Sequence, residues 1–160
     1  MNINEQFQDA CKNDDINIVK ELLKHPEVNP TDDINQAIRE ASYRNCVDVV
    51  KLLLTDKRVN PANCKNYPIR GASSQGNLDV VKLLLADNRV NPADENNCAI
   101  KWAADKGYIK VVRELSLWYY NNGYSIDDII HIIIQDNQID LAELRIFLEE
   151  SNMIKFAGRK

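Results

Sequence analysis

The chain repeats itself every 31 residues, and that period limits what it can fold into more than any other property. Val28-Asn29-Pro30, Val59-Asn60-Pro61 and Val90-Asn91-Pro92 recur at this step. So do Ile18-Val19-Lys20, Val49-Val50-Lys51, Val80-Val81-Lys82 and Val111-Val112-Arg113. Ala10, Ala41, Ala72 and Ala103 keep the register, as do Asn4, Asn35, Asn66 and Asn97. A period of this length marks a stacked array, in which each unit buries its apolar face against the next.

Each unit reads as two short helices and a connector. In the third copy Asn66-Tyr67-Pro68 supplies a helix start, with Asn66 as N-cap or Pro68 in the first turn. Ile69 and Ala72 follow at i, i+3 as a narrow apolar stripe. Gly76 suits the left-handed residue that ends this helix, and Gly107, Asn45 and Asp14 stand at the same place in the other copies. Asn77 is placed to cap the second helix, whose buried face reads Leu78, Val81, Leu84 and Leu85. Residues 87–97 carry Pro92 and four asparagines and read as a turn or hairpin. Two helices of about ten residues cannot enclose a core, so the fold class is an all-α solenoid stabilised by nearest neighbours.

These residues resemble ankyrin repeats, whose signature is T-P-L-H-x-A with a period near 33. The matching segments are Gln36–Ala41, Tyr67–Ala72 and Cys98–Ala103, and Gly76–Leu85 is close to the family's second-helix motif. The period is shorter here, and Arg39, Arg70 and Lys101 replace the signature His. Asn35, Asn66 and Asn97 are expected to take over the capping. The short, Asn-rich form resembles repeats of amoebae and their giant DNA viruses; 19 of the 160 residues are Asn.

One domain is expected over 1–152, with repeats at about 4–34, 35–65, 66–96, 97–127 and a degenerate 128–152, then a tail at 153–160. In the last unit Ile129 to Ile134 read as the first helix, and Leu141, Leu144, Phe147 and Leu148 line the second.

Charge and composition exclude several classes of function. A net charge of −4 argues against nucleic acid as the main ligand. The opening lacks the basic and apolar regions of a signal peptide, and the cluster from Ile129 to Ile134 is far short of the ~20 residues of a membrane span. A cytoplasmic location follows as the expectation. Cys11, Cys46, Cys64 and Cys98 form no CxxC pair, so free thiols are expected, with no metal and no cofactor. His25 and His131 lie too far apart in a solenoid to act together, and no catalytic constellation is expected.

A protein partner is the ligand that the resemblance implies, held on the concave groove lined by the first helices and hairpin tips. Trp102 is the first candidate, because its equivalents Glu40 and Gly71 show that the scaffold does not demand an aromatic there. Tyr43, Arg44, Ser74, Gln75, Asp105 and Lys106 occupy two neighbouring positions that vary between copies. The row Arg39, Arg70, Lys101 reads either as an anion-binding stripe or as cations paired with Asp32, Asp33, Asp94 or Glu95 on adjacent hairpins. Asn29, Asn60 and Asn91 match the hairpin asparagine that hydroxylases modify in the family, or they stabilise the turn. The alternative to groove binding is a structural protein that self-associates, with homodimerisation through Leu117 to Tyr124.

Overall fold

The structure is a computed structural model, and it describes residues 2–28 and 33–134, with Ile146 beyond them. Among these residues nine helices form: α1 (Ile3–Lys12), α2 (Ile16–Leu22), α3 (Asp33–Tyr43), α4 (Val47–Thr55), α5 (Asn63–Gln75), α6 (Leu78–Leu85), α7 (Asp94–Asp105), α8 (Ile109–Asn121) and α9 (Ile126–Ile134). The odd-numbered helices contact one another in sequence order, and α2, α4, α6 and α8 form a second row. The described part is therefore an all-α, two-row solenoid. The second helix expected around Leu141 to Leu148 and the tail at 153–160 lie outside the described residues, as does Asn29.

The period of the sequence is the period of the core. Phe7, Ile38, Ile69 and Ile100 are completely buried at successive steps, and Ala10, Ala41, Ala72 and Ala103 lie one helical turn on. Val19, Val50, Val81 and Val112 fill the second row, and Val28, Val59 and Val90 close the loops over it. Each buried Ile contributes roughly 1.5–3 kcal/mol. Val49, Val80 and Val111 are also buried, whereas their equivalent Ile18 is 49% exposed. Ile18 belongs to the first unit, which has no described unit before it to cover that position. On α6 the buried set is Val80, Val81 and Leu84. The expected face therefore omitted Val80, and Leu78 and Leu85 sit half-buried at its edges.

The first helices of the first four units end alike. Asp14, Asn45, Gly76 and Gly107 have φ of 60°, 64°, 73° and 71°, as the sequence register requires. Beyond each, the N–H of Asp15, Cys46, Asn77 or Tyr108 donates to the carbonyl of Ala10, Ala41, Ala72 or Ala103 at 2.8–3.0 Å. This six-to-one bond closes the helix in a Schellman-type motif. The Asn77 side chain does not cap its own helix: its Nδ2 donates to the Ser42 and Tyr43 carbonyls of the preceding unit, both at 2.9 Å.

The helix starts depart from expectation. Cys64, Lys65 and Asn66 all have positive φ, as do Glu95, Asn96 and Asn97, so α5 and α7 each open with a short left-handed turn. Right-handed winding begins only at Tyr67 and Cys98. Such a turn costs roughly 1–2 kcal/mol per residue for side chains other than glycine, so contacts from outside must offset it. Asn66 is a buried bracket, not an N-cap. Its Oδ1 accepts from the backbone N–H of Asn91 at 2.9 Å, and its Nδ2 donates to Asp94 at 2.6 Å. Asn35 accepts from the N–H of Asn60 in the same way. At the third rung the residue one step on, Asn122, caps the end of α8, and it is the Tyr119 hydroxyl that donates to Asn97 Oδ1 at 2.8 Å. The exposed hairpin residues Asn60 and Asn91 fold back as Asx turns onto the N–H groups of Ala62 and Ala93.

A second ladder runs along the loops. Asp56 grips Arg58, and Asp87 grips Arg89, each pair closing to 2.6 Å. The two arginines reach back to the Leu23 and Val59 carbonyls at 2.9 and 2.8 Å. Hydrogen bonds from these guanidinium groups hold both carboxyls below their ordinary range.

Two outcomes follow. Adding a Cβ at Gly76 meets left-handed strain and also the Tyr108 ring 2.7 Å away, whereas nothing lies within 4 Å at Gly107. In urea titrations Gly107→Ala is expected to cost about 1 kcal/mol, Gly76→Ala clearly more, and Asn45→Gly to stabilise by a few tenths to about 1 kcal/mol. The depressed Asp56 and Asp87 values mean that the unfolded chain binds protons first as pH falls. Their stabilisation is present above about pH 4 and is lost below it. Urea midpoints measured from pH 3 to 6 should fall less steeply in an Arg58→Gln, Arg89→Gln double variant than in the native chain.

Candidate interaction face

From α1 to α7 successive first helices share more extensive contact than successive second helices do. Gly71 sits beside two tyrosines of adjacent units: a Cβ there would lie 3.4 Å from Tyr67 Cε1 and 3.7 Å from Tyr43 Cδ2, ordinary van der Waals contact. Both are exposed, at 44% for Tyr43 and 38% for Tyr67, and Trp102 is 40% exposed on the next helix.

Arg70 joins these rings. Its guanidinium carbon lies 5.4 Å from the centroid of Tyr67 and 5.9 Å from that of Trp102, within cation–π range of both. Nε donates to the Lys65 carbonyl at 3.0 Å and Nη2 to the Cys64 carbonyl at 3.1 Å. The left-handed turn therefore aims two carbonyls at the arginine and holds it beside the rings. Arg39, one unit earlier, contacts the same turn from the other side through Nη1 and Cys64 Sγ, 2.9 Å apart.

Among the described residues neither Arg39 nor Arg70 forms the carboxylate pair that is one of the two alternatives for this row. Asp94 is taken by Asn66 and by Asn91, whose Nδ2 donates at 3.0 Å. Glu95 pairs with Lys65, and that hydrogen bond lowers the Glu95 value and raises that of Lys65. Asp32 and the Asp33 side chain lie outside the described residues. Lys101 is half-buried on α7.

The remaining candidates divide between surface and scaffold. Arg44 is exposed and pairs with Glu40 at 3.3 Å. Asp105 is exposed on the last turn of α7. Lys106 donates to the Ser74 carbonyl at 2.7 Å. Ser74 itself is turned inward, its hydroxyl donating to the Gly71 carbonyl at 2.8 Å, and Gln75 folds over it. Sequence reasoning missed Tyr67 and Gly71 as parts of the face. In the sequence Tyr67 stands out only as part of the Asn66-Tyr67-Pro68 helix start, although an aromatic one turn before a glycine is a signal that pairing neighbours would have found.

Away from this face, Cys11 and Cys46 are buried free thiols. Burial pushes the Cys11 thiol up to about 12, and Cys46 is also raised by burial, so neither is a ready nucleophile. Among the described residues no group of His, Cys, Asp or Glu is placed to hold a metal ion, and no helix is long and apolar enough to cross a membrane.

Arg70→Ala removes two charge-assisted bonds to a left-handed turn and should cost about 1–2 kcal/mol in urea unfolding. It should also alter Trp102 fluorescence. Arg44→Ala breaks only an exposed i, i+4 pair and should stay within about 0.5 kcal/mol.

Among family models, the one for ankyrin repeats, in three copies, matches residues 40–127, more than half of the chain. No curated protein matches the sequence.

Proposed function

Because the chain belongs to the ankyrin repeat family, whose members generally act as protein–protein interaction modules and are typically not enzymes, we propose that it holds a protein partner on its first-helix groove. One observation carries this reading: two exposed aromatic rings, Tyr67 and Trp102, flank Arg70 on that face, with a third, Tyr43, beside the neighbouring Gly71. Aromatic residues and arginine dominate binding hot spots, because they bury much area at low ordering cost. The scaffold supports it, since Arg70 is fixed by backbone carbonyls before any partner arrives. Arg39, Lys101, Glu40, Arg44, Asp105 and Lys106 form the polar margin, with Ser74 and Gln75 acting mainly as scaffold. A cytoplasmic adaptor, and a viral protein acting on a host partner as one case of it, are the finer forms of this reading.

Self-association is the second reading. It is favoured by Leu117 and Tyr124, exposed at 43% and 37% near the end of the described array. Tagged native protein and a Trp102→Ala, Arg70→Glu variant of unchanged helicity should be compared in pull-downs read by mass spectrometry. Partners retained by the native chain and lost by the variant are the expected result. Identical partner lists would remove the groove from consideration, and a dimer in light scattering of the same samples would move the site to the aromatic end.

A further inference from the structure

The groove reading leaves open which kind of chain lies in it, and the inference here rests on that reading. We infer that the face takes an extended, polyproline-II segment of a partner protein carrying a carboxylate at every third residue. Charge is the first reason. The variable positions of the three central first helices hold five cations (Arg39, Arg44, Arg70, Lys101 and Lys106) against two anions (Glu40 and Asp105). That is a local net of +3 on a chain of net −4. Glu40 is already engaged by Arg44. Among the described residues Arg39 and Arg70 form no ion pair, their bonds going to sulfur and to backbone carbonyls. Arg70 spends two of its five N–H donors on those carbonyls, which leaves donors for an incoming acid.

Spacing is the second reason. Equivalent positions on packed helices lie about 8–10 Å apart. A polyproline-II chain makes one turn in three residues at about 3.1 Å each, so every third side chain points the same way at intervals of about 9.3 Å. A β-strand places same-face side chains at about 6.8 or 13.6 Å and misses that interval. The rings are the third reason, because Tyr67 and Trp102 flank Arg70 as exposed aromatic rims. Such rims receive the residues between the acids, and proline in particular.

Fluorescence anisotropy tests this with two labelled 12-residue peptides of equal composition. One has glutamate at positions 1, 4, 7 and 10 and proline elsewhere; the other has its four glutamates at alternate positions. The register peptide should bind about tenfold more tightly than its isomer, weaken in 0.5 M NaCl, and lose affinity with Arg70→Glu. Trp102→Ala, which leaves every loop contact intact, should also weaken it. Equal binding of both peptides, or no effect of either variant, overturns the inference. Panning a random peptide display library on native protein and on Trp102→Ala separates the two levels. Variant-sensitive peptides with acids at i, i+3 and i+6 support the inference. Variant-sensitive peptides without that pattern overturn it and keep the groove. Enrichment indifferent to the variant overturns both.

Discussion

The backbone N–H groups of Asn60 and Asn91 face inward at loops that belong to no sheet and no helix, and there a buried donor without an acceptor would cost free energy comparable to a lost hydrogen bond. The amide oxygens of Asn35 and Asn66 accept from them. Much else depends on this contact. It spaces the loops and, at Asn66, ties down the left-handed turn that opens α5, so that it sets where that right-handed helix begins. Arginines 58 and 89 add a parallel tie to carbonyls of the preceding unit. The units are thus joined by oriented polar contacts at the loops and by apolar packing between the helices, which gives both adhesion and register.

The proposed interaction face inherits its order from the same source. Arg70 is held in place because the Cys64 and Lys65 carbonyls point at it, and they point at it because their residues wind left-handed. The rings of Tyr43 and Tyr67 both lie beside Gly71. The face is therefore assembled from parts of several units, with no element able to form it alone. The proposed recognition of a partner would lose little conformational entropy at Arg70, whose guanidinium is already held by two carbonyls.

Much of the fold was legible in the sequence, because apolar periodicity and the glycine register report directly on burial and on φ. Ile69, Ala72, Val81 and Gly76 each stand where the 31-residue step puts them. The loops were harder to read. Asparagine is equally at home as an N-cap, in an Asx turn or as a bracket between chains, and only the distance from Asn66 to Asn91 decides among these roles. The same limit applies to Arg70. Its place in the basic row was visible, but the carbonyls that hold it lie in a turn whose hand no local propensity announces. Trp102 stood out because its equivalents are small or charged, whereas Tyr67 sat at a position that looked like routine divergence.

The left-handed turns carry a consequence for how the molecule moves. Three left-handed residues in succession cost free energy, least at Asn66, Asn96 and Asn97 and more at Cys64, Lys65 and Glu95, so each turn depends on its brackets staying closed. A neighbour that loosens withdraws the bracket and lets the turn relax toward ordinary backbone, which would release Arg70 from its place. Fluctuations at one joint of the array are in this way transmitted to the shape of the surface above it, and the groove is firm only to the extent that its joints are shut.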